Sequence, residues 1–72
     1  MSGALRKRSF TLSRHRTSVA LEAEFWAVLE ACAKDAGESL SAFVTRIDRE
    51  RGTRPLASAL RLAALAAAKT RP

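Results

Sequence analysis

The chain has little of what usually stabilises or equips a very small protein. It carries one cysteine, Cys32, so no internal disulfide can form, and one histidine, His15. One Cys and one His fall short of the four ligands of a structural zinc site. No carboxylate pair, no nucleophile beside a base and no glycine-rich phosphate loop stands out, and Glu22 and Glu24 belong to a helix first turn. The expectation is a non-enzyme with no catalytic residue, no metal and no cofactor. Long apolar runs are missing too. The first 21 residues hold five Lys/Arg but no apolar stretch of the length a secretory signal needs. The longest nearly apolar run, Leu56–Ala68, spans 13 residues, is broken by Ser58 and Arg61, and is too short to cross a bilayer. A cytoplasmic protein is expected.

What is present bounds the rest. At 72 residues there is room for one small domain. With 47% hydrophobic residues the chain is no disordered polyelectrolyte. A chain this short buries only about 60% of its unfolded surface. Without disulfides or metal, a second copy is the expected source of additional core. The formal net charge of +6 is unevenly spread. Residues 1–21 contain Arg6, Lys7, Arg8, Arg14 and Arg16 and no acid; residues 22–52 carry net −3 and residues 53–72 net +4. A purely positive segment ahead of a nearly balanced body points to a polyanionic partner. The plainer reading of Arg6–Arg8 is a solvated basic tail.

The pattern divides the chain into a basic arm (1–13), either disordered or extending a strand, a core (14–52), and a C-terminal segment (53–72). Residues 1–8 read as disordered. Over 9–22 β-branched residues and alternation suit a strand, clearest over about 15–21. Thr17, Val19 and Leu21 share one face; Arg14, Arg16, Ser18 and Ala20 share the other. A lone strand leaves backbone groups unpaired. Either residues 9–13 fold back through Ser13–His15, or the strand pairs with its copy in another chain. The second is favoured, because the turn lacks Gly, Asn and Asp. A helix follows over 23–36 with the stripe Phe25, Val28, Leu29, Cys32 and Ala36, Trp26 at its border, and Gly37 as left-handed stop. A second helix over 40–51 has Ser39 as N-cap, the stripe Leu40, Phe43, Val44 and Ile47, and Gly52 at its end. A third helix (about 55–69) starts at Pro55; it is apolar almost all round, which predicts burial. Cys32 on its stripe reads as a small buried hydrophobe, and His15 as an ordinary strand-end residue.

The order strand, helix, helix, with the link Gly37-Glu38-Ser39-Leu40, resembles the ribbon-helix-helix family of Arc- and MetJ-type DNA-binding proteins. The matching residues are Arg16-Thr17-Ser18-Val19-Ala20-Leu21, then Phe25, Leu29 and Cys32, then Gly37 through Val44. The stretches His15–Glu22, Glu24-Phe25-Trp26, Ile47-Asp48 with Arg51-Gly52, and Ser58-Ala59-Leu60-Arg61 are also similar to a bacterial subgroup of largely unassigned role. The resemblance implies a mainly α fold with one short strand, paired antiparallel across an intertwined homodimer, plus the extra C-terminal helix. It implies that two strands enter the major groove of double-stranded DNA. Base contacts then fall to Arg16, Ser18 and Ala20, with Arg14 one step further out. Ala20 departs from the family, which often has a polar or basic residue there. Phosphate contacts fall to Ser39, Leu40 and Ser41 at the second helix's N-terminus, where free N–H groups favour an anion, and to Arg6, Lys7 and Arg8. Glu38 beside that site is an awkward like charge. The dimer core would comprise Val19, Leu21, Phe25, Trp26, Leu29, Leu40, Phe43, Val44 and Ile47.

The function this implies is a homodimeric, nucleoid-associated transcriptional regulator, a repressor type, with tetramers on DNA left open. A second reading is an antitoxin-like module that binds a protein partner through the third helix and DNA through the strand. A third, a peripheral membrane protein using Arg61, Lys69 and Arg71, suffers from too narrow a polar face; no membrane partner is expected.

Overall fold

The computed structural model describes residues 4–70. The order is β1 (Leu5–Leu12), β2 (His15–Glu22), α1 (Ala23–Asp35), α2 (Leu40–Glu50) and α3 (Leu56–Thr70). β1 and β2 form a two-stranded antiparallel sheet in which Leu5 faces Glu22, Phe10 faces Thr17 and Leu12 faces His15. The strand expected to pair with a second copy therefore pairs within its own chain. Residues 5–8, expected to be disordered, form the first half of β1, and the expected single strand becomes two. Residues 1–3 of the arm and 71–72 of the tail lie outside the described residues.

The turn explains why the hairpin is hard to foresee. Ser13 and Arg14 join the strands, and both have positive φ, 50° and 69°. That is the backbone of a two-residue hairpin turn whose twist matches the strands, a turn normally made by Asn-Gly or Asp-Gly. Here two ordinary L-residues take the left-handed conformation at a cost of about 1–2 kcal/mol each.

The helices end as the sequence indicates. Ser39 caps α2 by accepting a hydrogen bond from the Ala42 N–H at 3.0 Å. Gly37 and Gly52 adopt φ of 71° and 62° just beyond α1 and α2. The apolar faces shift in detail. α1 buries Trp26, Leu29 and Ala33, while Phe25, Val28 and Cys32 pack at the margin and Ala36 is exposed. Trp26 is thus central to the face, not at its border, because its indole meets β1: it lies 5.9 Å from the Phe10 ring, and its N–H donates to the Arg6 carbonyl at 2.8 Å.

The core closes within one chain. Phe10 and Leu12 of β1, Val19 and Leu21 of β2, Trp26, Leu29 and Ala33 of α1, Phe43 and Val44 of α2, and Leu60 and Ala64 of α3 form one cluster, with Phe25, Leu40 and Ile47 packed against it. All nine residues expected to make a dimer core are here in the core of a single chain. β1 and α3 supply the apolar surface expected from a partner. The radius of gyration, 11.8 Å, is close to the ~11 Å of a compact chain of this length. α3 is buried on one face only. Ala59, Leu60 and Ala64 are inside, but Leu62 and Leu65 remain 45% and 49% exposed, contrary to the burial its composition predicts.

Candidate nucleic-acid interface

Alternation along each strand sorts the hairpin's side chains between two faces. The helix-facing rows are Arg6/Leu21, Arg8/Val19, Phe10/Thr17 and Leu12/His15; the outward rows are Leu5/Glu22, Lys7/Ala20, Ser9/Ser18 and Thr11/Arg16. Arg16 and Ser18 are exposed and Ala20 is half-buried on the outward face, as the sequence predicts, while Thr17 is half-buried and Val19 and Leu21 are buried on the other. Arg14 stands in the turn, exposed at the tip. Ser9 and Ser18 hydroxyls meet across the strands at 3.0 Å. β1 thus brings Lys7, Ser9 and Thr11 to the face that holds Arg16, Ser18 and Ala20. Ser9 and Thr11 are absent from the sequence-derived set. The signal was there: Ser9-Phe10-Thr11-Leu12 alternates polar and apolar, and a strand so placed must turn its polar residues away from Phe10 and Leu12.

The basic triplet is split by the same alternation. Arg8 faces the helices. Its guanidinium lies 5.2 Å from the Trp26 ring centroid and reaches Glu30 at 2.6 Å. Its charge is thus balanced within the chain, by a partner other than the phosphate that the sequence suggests for it. Arg6 also lies on the helix-facing side, at the open end of the hairpin and exposed. Lys7 alone of the three is on the outward face. Among the described residues no ion pair engages Lys7, Arg14 or Arg16. The one carboxylate on this face, Glu22, lies at the far end and reaches Arg61 of α3 at 3.1 Å. A backbone hydrogen bond first, and Arg61 second, hold its carboxyl below the usual carboxylate value against the opposing effect of burial.

The start of α2 carries a second anion-seeking feature. The Ser39 side chain takes the Ala42 N–H and its carbonyl takes the Phe43 N–H. The Leu40 and Ser41 N–H groups, in the first turn, have no intrahelical acceptor available. Glu38 does not confront this site as a free charge, because its carboxylate pairs with Arg46, whose guanidinium lies over the Phe43 ring. Among the described residues no His/Cys/Asp/Glu group is arranged to hold a metal. None of their helices is long and apolar enough to cross a membrane.

A family model described as a ribbon-helix-helix domain matches residues 5–68, nearly the whole chain. No curated protein and no solved structure matches.

Proposed function

The chain belongs to the ribbon-helix-helix family of DNA-binding, dimerising domains, and from that premise we propose that it is a homodimeric transcriptional regulator that lays its hairpin in the DNA major groove. The observation that carries this reading is the outward face of the ribbon. From the Lys7/Ala20 row to the tip it is mostly exposed and carries polar and basic side chains, and Glu22, the carboxylate of the row at the far end, pairs with Arg61. The major groove is wide enough for a two-stranded ribbon. Arg16 offers a planar fork suited to the O6 and N7 atoms of guanine, and Ser18 can donate or accept. Arg14 at the tip reaches a base or the flanking backbone. The Leu40 and Ser41 amides, with Ser39 holding the turn, fix phosphate at the start of α2. The protein acts at the nucleoid, and two chains on one duplex bring two ribbons and two such anchors.

Titration of labelled promoter DNA, including the DNA upstream of its own gene, tests this. Affinity falls steeply with added salt, because each neutralised phosphate releases counterions. Arg16→Ala costs about 1–3 kcal/mol of binding. Failure to bind any such duplex at low salt overturns the proposal. Native mass measurement gives the dimer, and a protein that stays monomeric at binding concentrations counts against it.

A second reading, an antitoxin-like module with a protein partner, is favoured by one observation. Leu62 and Leu65 of α3 are exposed, and Leu62 lines an open groove of about 370 Å³ in which Ile47, Ala59 and Ala63 meet the charged Glu50, Arg51 and Arg54. Against it, the opposite side of α3 is committed to the core. Deleting residues 53–72 separates the readings. Unfolding supports the core role, whereas a truncated chain that stays folded and binds DNA supports the partner role.

A further inference from the structure

The hairpin contains a complete two-stranded reading surface in one chain, and half of that surface comes from β1. Its outward rows are Lys7/Ala20, Ser9/Ser18 and Thr11/Arg16. Alternate residues along a strand are about 6.8 Å apart. Three rows therefore span about 14 Å, some four base-pair steps at 3.4 Å each.

The middle row is tied together, since the Ser9 and Ser18 hydroxyls bond to each other. At the row nearest the open end, Ala20 offers only a methyl group and is half-buried. Its register partner is Lys7, exposed and outside every described ion pair. Opposed side chains in an antiparallel pair start about 5 Å apart, well within a lysine's reach. An ammonium with three donors thus occupies the row where β2 has no polar group. At the other end Thr11 stands beside Arg16, exposed, with a hydroxyl and a methyl. The methyl suits a thymine methyl next to the base that Arg16 reads. Lys7 also differs from its neighbours in a way that a loose basic tail would not produce: Arg6 and Arg8 turn to the opposite face, and Arg8 is locked onto Trp26 and Glu30.

We propose that Lys7 and Thr11 of β1 are specificity-determining residues that read bases alongside Arg16, with Lys7 serving the row that Ala20 leaves without a hydrogen-bonding group. This rests on the reading of the hairpin as a major-groove ribbon. It assigns each chain a half-site of its own, read by both strands of one hairpin.

The test is selection from a randomised duplex pool, followed by sequencing, with the full chain and five variants: Lys7→Ala, Lys7→Gln, Thr11→Ala, Arg16→Ala and Arg6→Ala. All four side chains are exposed, and circular dichroism checks that each variant folds. Lys7→Ala and Thr11→Ala are expected to flatten preference at base positions of their own, reducing the ratio of preferred to next-best base by roughly fivefold or more. Lys7→Gln, one atom shorter but still an N–H donor without the charge, retains part of that preference. Arg6→Ala, on the opposite face, leaves the base preference unchanged. If Lys7→Ala and Thr11→Ala weaken every sequence equally while Arg16→Ala changes the preferred site, the assignment to β1 is overturned and base reading by β2 stands. If the parent chain shows no base preference at all, base reading by the ribbon falls, and the assignment with it.

Discussion

Arg8, Arg46 and Arg61 each lie over an aromatic ring, at 5.2, 5.0 and 5.8 Å from Trp26, Phe43 and Phe25, and each reaches a glutamate. A guanidinium so placed covers apolar surface with its stem and plane and has its charge balanced locally. These arginines are hard to tell by sequence from those that remain free, because the difference lies in the face each one occupies. Arg8 shows this most clearly: one position either way would place it with Lys7 on the outward side. Trp26 joins two of these relationships, donating to the Arg6 carbonyl while lying under Arg8. Trp26→Phe keeps an aromatic ring but loses the N–H donor and part of the buried indole, and is expected to destabilise the fold by about 2–3 kcal/mol in denaturant titration. Glu22 gives a pH signature. Its carboxyl is held below the ordinary carboxylate value in the folded chain, so its contribution is full above that value and disappears as pH falls through the lowered one. Glu22→Gln should therefore lower stability at pH 7 and converge with the parent in strong acid, as thermal melts across that range would show.

Among the elements, the three helices are legible to within a residue or two of their ends. Ser39, Gly37 and Gly52 are strong local signals whose geometry is the same in any fold. β1 was less legible for a physical reason. Its alternation is visible at Ser9 to Leu12, but the turn that makes a hairpin of it uses Ser13 and Arg14, residues that local preference places elsewhere. Tertiary packing of Phe10 and Leu12 against the helices outweighs that preference. The inward and outward sets of β2 are legible in the sequence, because a period of two does not depend on which strand lies alongside. The turn now supplies a prediction. Ser13→Asn with Arg14→Gly relieves both left-handed residues and should raise stability by roughly 1 kcal/mol or more. The same change removes a cation from the tip and should weaken DNA binding. Thermal melts and DNA titration on one preparation read both effects. At α3, Leu60 is fully buried, and Leu60→Ala should cost about 2–5 kcal/mol, enough to unfold much of a domain this small.

For the whole molecule, stability and charge are separable. The core is a single apolar cluster, and among the described residues no polar one is buried, whereas the free cations on the hairpin lie outside it. Raising salt should therefore abolish DNA binding well before it unfolds the protein, a difference that anisotropy and circular dichroism over one salt series would reveal. The source of the core was the least legible property of the sequence. Composition and length point to a partner chain, and they cannot show that β1 and α3 fill the same role from within. The six side chains of the three outward rows contribute nothing to the buried cluster. A combinatorial library at those positions could then be screened for altered DNA-sequence preference on a scaffold whose folding is left intact, so that retargeting this domain becomes a matter of decorating one face of a hairpin.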